Sequence, residues 1–288
     1  MNTDSRRSII LLIFCPDRKG IVAAVTSFLA KHNGNIIHLD QHVDLQQNVF
    51  FMRVEWEEAG FAIPHQDIAR HFQPVADEFK MHWELHFSDA VPRMAVLVSK
   101  ESHCLYDILS RVQSGEWQVE VPVVISNHPT LEPVAKQFGI PYHTLPVGKD
   151  NKPDQERSIL DLLKRERADL VVLARYMQIL SPDFVARYPS RIINIHHSFL
   201  PAFPGAKPYH SAHARGVKII GATSHYVTSE LDTGPIIEQD IIRVSHKDSL
   251  EDLIRKGKDL ERIVLSRAIW WHIENKILVY NNKTVIFE

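Results

Sequence analysis

Asn194 and His196 stand two residues apart where an apolar run, Arg191 to Ile195, opens into a stretch rich in proline and glycine, His197-Ser198-Phe199-Leu200-Pro201-Ala202-Phe203-Pro204-Gly205. On an extended strand, side chains two apart project the same way, so the amide and the imidazole should share the space beyond the strand's carboxyl end. In open α/β sheets that space is where ligands bind. An amide donor beside an imidazole suits a carbonyl carbon that becomes tetrahedral: the amide donates to the developing oxyanion and the imidazole handles charge or a proton. Asp232, in the later run Leu231-Asp232-Thr233-Gly234-Pro235, supplies the carboxylate that completes the proton handling. Taken singly, Asn194 reads as a turn-capping residue and His196 as a satisfied buried histidine. Their combination with Asp232 carries the chemistry.

Other reactive residues carry less. The 17 histidines are scattered. His38/His42 and His82/His86 have the spacing of a helical metal pair, but both fall in segments that read as strands, where four residues span about 13 Å. No Cys-x-x-Cys is present, and no metal site is expected. Adjacent His103 and Cys104 at a helix start point apart, so Cys104 reads as a small buried hydrophobe rather than a nucleophile. Tyr209 and His210 sit at a helix start and are left outside the site. With 288 residues, a net charge of −2 and two cysteines, the chain has room for two domains. Nothing in it calls for nucleic acid or a membrane as partner, and few cysteines suit a reducing, cytoplasmic setting. No run has membrane-spanning length, and the first apolar run is too short for a signal peptide.

The elements that must position these residues follow two rhythms. Ser8–Cys15 reads as a strand and Ile21–Leu29 as a helix stopped at Asn33-Gly34-Asn35. Asn35–Leu45 and Asn48–Trp56 form a hairpin, Pro64–Phe79 a helix and Met81–Phe87 a last strand. That order, βαββαβ, is the ferredoxin-like arrangement. From Pro92, strands at Arg93–Ser99, Val119–Ser126, Tyr142–Leu145, Asp169–Leu173 and Arg191–Ile195 alternate with helical segments, which implies a mostly parallel, Rossmann-like sheet. Ile219–Val227 and Ile236–Val244 extend it, a long helix covers Ser249–Asn275, and a hairpin turns at Asn281-Asn282. The expected domains are 1–88 and 89–288.

Several ordered blocks then resemble the formyltetrahydrofolate-dependent formyltransferase family: Asn194-x-His196, Leu200-Pro201-x-Phe203-x-Gly205, Gly221-Ala222-Thr223-x-His225-Tyr226-Val227 and Asp232-x-Gly234-Pro235. The resemblance implies catalytic roles for Asn194, His196 and Asp232. It also implies a folate pocket lined by Tyr176, Met177, Gln178, Ile179, Leu180 and Val227, against core packing as the plain alternative for those apolar residues. Asp17-Arg18-Lys19-Gly20 with Gly34-Asn35 resembles an ACT domain. This implies an amino-acid effector such as glycine or methionine near Asp17, Gly20 and Asn35, and a homo-oligomer.

An ACT-like module before such a domain resembles the deformylase branch, which hydrolyses 10-formyltetrahydrofolate to formate and tetrahydrofolate, balances the one-carbon folate pool and feeds formate to purine biosynthesis. His197-Ser198-Phe199 resembles that branch too, and His197 either lines the water side or packs beside Phe199. The loop Ser99-Lys100-Glu101-Ser102-His103 has no glycine with which to cradle a phosphate, which favours water as acceptor. Formyl transfer to an amine such as glycinamide ribonucleotide is the enzymatic alternative. A folate-binding or amino-acid-sensing regulator is the non-enzymatic one. Hydrolysis calls for no cofactor, since the formyl-folate is itself the substrate.

Overall fold

The computed structural model describes residues 7–148, 150–201 and 208–288. The chain divides into two compact units: residues 1–91 with 274–280 and 285–288, and residues 92–273 with 281–284. Phe203 and Gly205 of the Pro/Gly motif lie outside the described residues.

The first unit runs β1 (Ser8–Pro16), α1 (Ile21–Lys31), β2 (Ile36–Asp44), β3 (Val49–Glu57), α2 (His65–Phe79) and β4 (His82–Phe87). Its antiparallel sheet has the order β2-β3-β1-β4, the ferredoxin-like arrangement expected. Alternation on β1 sends Ile9, Leu11 and Ile13 to the face covered by the helices. There they meet Ile21, Val25, Phe28 and Leu29 of α1 and Ile68 and Phe72 of α2.

The second unit begins with β5 (Met94–Val98), α3 (His103–Gln113), β6 (Val124–Ser126), α4 (Glu132–Gln137) and β7 (Tyr142–Thr144). It continues with α5 (Lys152–Arg165), β8 (Leu170–Leu173), α6 (Pro182–Val185) and β9 (Ile192–His196). It closes with α7 (Pro208–Arg215), β10 (Ile219–Tyr226), β11 (Ile236–Arg243) and α8 (Leu250–Ile273). The sheet order is β11-β10-β9-β8-β5-β6-β7, with β9 to β7 parallel and β10 and β11 antiparallel. The strands that neighbour β5 are buried on both faces, hence their unbroken Val/Ile/Leu runs. The strand expected over Val119–Ser126 shortens to β6, with a single bridge from Glu120 to Arg93. Pro122 lacks the N–H that a longer ladder needs. Among the described residues no helix is long and apolar enough to cross a membrane.

A last hairpin, β12 (Ile277–Tyr280) and β13 (Lys283–Ile286), turns at Asn281 and Asn282 as expected. The sequence reading left residues 274–288 in the second domain, whereas 274–280 and 285–288 sort with the first unit. The cause is the other face of the first sheet. Leu12, Val49 and Phe51 point away from the helices, and Leu278 and Phe287 cover them. Arg53, 3% exposed, is tied down there by the Asn275 carbonyl, which accepts from its Nε at 3.0 Å.

Candidate active site

β9 delivers Asn194 and His196 to one side, as the two-residue spacing requires. β10 runs antiparallel beside it, with His225 opposite Asn194 and Thr223 opposite His196. The loop after β10 returns Asp232 to the same place. Two features hold that loop in register. Asp232 has φ 56°, a left-handed conformation that aspartate tolerates better than most residues. Gly234 lies so close to β10 that a Cβ on it would sit 1.8 Å from the Tyr226 carbonyl oxygen, which leaves no room for any side chain.

The side chains converge. The Asp232 carboxylate lies 3.3 Å from His196 Nδ1 through Oδ2 and 3.7 Å from His225 Nε2 through Oδ1. These two imidazoles hold its pKa far below the usual carboxylate range, His196 contributing most. Asn194 Nδ2 lies 3.2 Å from His225 Nε2. His225 Nδ1 lies 2.9 Å from the Tyr226 carbonyl and donates to it, which turns Nε2 toward both Asn194 and Asp232. An amide nitrogen has two N–H groups, so a second donor remains for a ligand. His196 is 6% exposed and its Nε2 has no hydrogen-bond partner among the described residues.

All nine residues expected at the catalytic and folate positions line one cavity of about 460 Å³: Asn194, His196, Asp232, Tyr176, Met177, Gln178, Ile179, Leu180 and Val227. The wall segment is pinned at both ends. The Met177 N–H donates to Ser99 Oγ at 3.0 Å and the Ser181 N–H donates to Glu156 Oε1 at 3.0 Å. Tyr176 is buried and its hydroxyl accepts from Gln155 Nε2 at 3.0 Å, so it offers ring surface to the cavity. Met177 and Ile179 are exposed and present apolar surface to the cavity. His197 lines the cavity, its ring 5.3 Å from His196 and 6.0 Å from Tyr209, while Phe199 packs against Gly221 instead.

Three residues matter here that the sequence reading did not place. His225 sat inside the quoted motif, and the signal for it is its polar character within a strand buried on both sides. Arg175, beside the wall segment, lines the same cavity. Tyr209, left aside as a helix-start residue, sends its hydroxyl to Glu261 at 2.6 Å. Cys104 is fully buried and burial pushes its thiol well above the usual range, which removes it as a nucleophile. One group among the described residues, His103, Cys104 and Glu261, brings ligand-type atoms within 4.8 Å of one another. Its carboxylate is already taken up by His103, Tyr209 and Arg175.

In the first unit, Asp17 and Gly20 line a shallow cavity of about 360 Å³ at the start of α1, together with Arg18 and Gln41. Asn35 is not part of it. The 11-residue helix α1 carries the chain about 16 Å away, and Asn35 Nδ2 donates to Glu57 Oε2 at 2.8 Å.

The formyl transferase family model matches residues 92–269 and the ACT domain model residues 9–59. A formyltetrahydrofolate deformylase of Synechocystis is 56% identical over 96% of this chain and 97% of its own length. A crystal structure of a formyltetrahydrofolate deformylase from Pseudomonas syringae superposes with a TM-score of 0.97 at 47% identity, covering 99% of this chain and 96% of that one. Glycinamide ribonucleotide transformylase 1 of Symbiobacterium toebii covers 71% of this chain and 98% of its own, at 32% identity and a TM-score of 0.66.

Proposed function

Because the chain belongs to the formyl transferase family, and within it to the formyltetrahydrofolate deformylases, we propose that it hydrolyses 10-formyltetrahydrofolate to formate and tetrahydrofolate. The observation that carries this reading is the convergence of Asn194, His196 and Asp232 on the floor of a cavity whose wall is the apolar segment Tyr176–Leu180. The pteridine lies along that wall with the formyl group over the floor. The free N–H of Asn194 donates to the formyl oxygen as water adds to the carbon, a contact of the kind worth about 2.7–4 kcal/mol of barrier.

Asp232 is a poor proton acceptor because two imidazoles hold its pKa so low. Its part is to orient His196 through Nδ1 and to stabilise the imidazolium. His196 Nε2 takes the proton of the attacking water and returns it to N10 as the carbon–nitrogen bond breaks. Formic acid leaves with the former water oxygen and gives up its proton to solvent as formate, and tetrahydrofolate carries the returned proton. The step calls for no metal and no redox cofactor: the folate brings the electrophile and water the nucleophile.

Purified protein supplied with 10-formyltetrahydrofolate and no amine should release formate stoichiometrically with tetrahydrofolate. Negligible formate, with product appearing only when an amine is added, would overturn this reading in favour of a transferase.

Around this activity we place the chain in the cytoplasm as a homo-oligomer that supplies formate and balances the folate pool, with purine biosynthesis as the consumer. The ACT match over residues 9–59 supports an amino-acid effector such as glycine or methionine at the Asp17–Gly20 cavity. Formate release across a panel of amino acids, and light scattering of the full chain, test these two points. No response to any amino acid, or a monomer at working concentration, would refute the corresponding one.

A further inference from the structure

The strand order places a topological switch between β5 and β8: the chain leaves β5 toward β6 and β7, then returns to β8 on β5's other side. The loops that leave two such strands diverge, and the crevice between them is where this class of sheet receives its ligands, phosphates among them. Here the charged side chains beside that crevice are paired with one another. Arg175, two residues past the end of β8, holds φ 62°, a left-handed conformation that is strained for a residue with a Cβ. A strained backbone persists where the surroundings demand it. Its guanidinium reaches Glu261 of α8, with Nε 3.4 Å from Oε2, and Nε and Nη1 are enclosed without a hydrogen bond among the described residues.

Glu261 is 1% exposed and gathers two further groups. His103 Nε2, at the first residue of α3, lies 2.8 Å from Oε2, and the Tyr209 hydroxyl donates to Oε1 at 2.6 Å. One turn earlier on α8, Gly257 makes room for the tyrosine, since a Cβ there would lie 2.2 Å from its ring. At the outer rim Glu101, on the loop after β5, pairs with Lys258 of α8 at 2.6 Å. Three cationic or cation-forming side chains, Arg175, His103 and Lys258, thus face one another across the crevice, and two carboxylates, Glu101 and Glu261, occupy them.

We propose that this crevice is an acceptor site closed from within, in which Glu101 and Glu261 engage the cations that a phosphorylated amine would need, so that water remains the acceptor of the formyl group. The inference rests on the hydrolytic reading and names its specificity residues. Two carboxylates facing an incoming phosphate repel it, and the groups that would attract it are already neutralised. The transformylase of Symbiobacterium toebii, named for a ribonucleotide acceptor, matches over 71% of this chain, so the same scaffold serves an acceptor that carries phosphate.

The test uses the full-length protein and inorganic phosphate as probe, by calorimetric titration. Glu101 is 41% exposed in its side chain and outside the catalytic cavity, so Glu101→Gln leaves the fold and acceptor-free formate release intact. Glu101→Gln is expected to bind phosphate about tenfold or more tightly than the wild type. Adding Lys258→Ala to Glu101→Gln should abolish the gain. Glu261→Gln, which frees two cations, should give a larger gain if it folds by circular dichroism. Wild type and Glu101→Gln with equal phosphate affinity, or a gain that survives Lys258→Ala, would overturn the proposal. Formate release by the wild type without an amine is read separately, so failure of the hydrolytic reading and failure of this one are distinguishable.

Discussion

Asp232→Asn is the sharpest perturbation of the site. It keeps the shape of the side chain, and asparagine adopts φ 56° as readily as aspartate, so the loop stays where it is. What it removes is the charge opposite His196. With Oδ2 3.3 Å from Nδ1, an effective dielectric of about 20 puts the attraction between carboxylate and imidazolium at about 5 kcal/mol. The amide carbonyl still accepts from Nδ1, and His225 at 3.7 Å shares the original charge, which leaves a net loss of about 3–4 kcal/mol. Since the imidazolium forms only as water is deprotonated, the loss falls on the transition state, and kcat should drop about 10²–10³-fold. KM should change little, because the wall from Tyr176 to Leu180 is untouched. Initial rates of formate release over a range of 10-formyltetrahydrofolate concentrations separate the two constants. A kcat within tenfold of wild type, or a defect confined to KM, would refute the role given to the charge.

The same carboxylate predicts a pH dependence of stability. Its folded pKa is depressed by His196 and His225, so its contribution is fully present above the unfolded aspartate value near about 3.9 and is lost as pH falls toward the folded value. The difference in unfolding free energy between wild type and Asp232→Asn should therefore shrink below about pH 4, and a difference that grew there would contradict the pairing. Asn194→Ala should lower kcat by about 10²–10³-fold in the same assay, as loss of one oxyanion donor does. His225→Ala leaves both Asn194 and Asp232 without their shared partner, and a kcat reduced at least about tenfold is expected in formate release. Leu278→Ala, at a position 5% exposed, should cost about 2–5 kcal/mol in urea unfolding with kcat unchanged if the C-terminal hairpin belongs to the first unit.

The sequence by itself determined the two rhythms of elements, and with them the ferredoxin-like order and the parallel sheet, because periodicities of two and 3.6 are local properties of the backbone. It also determined that Asn194 and His196 face the same side: two positions on one strand share a side whatever the rest of the chain does. Asp232 and the wall residues were legible only through motif blocks, since no local rule says which loop returns to which strand. Tertiary structure alone decided the rest. His225 joins the site because the antiparallel register of β10 sets it opposite Asn194, and one residue of slip would turn it to the other face. Asn35 leaves the effector cavity because a rigid helix separates it from Gly20. The final hairpin changes units because Leu12 and Phe51 needed an apolar cover that only a distant segment supplied. Glu261, unremarkable in a helix of mixed charge, becomes the centre of a buried cluster because α8 lies beside the loops of β5 and β8. Charges 158 and 86 residues apart from their partners meet through packing, and packing is not written in the spacing of a chain.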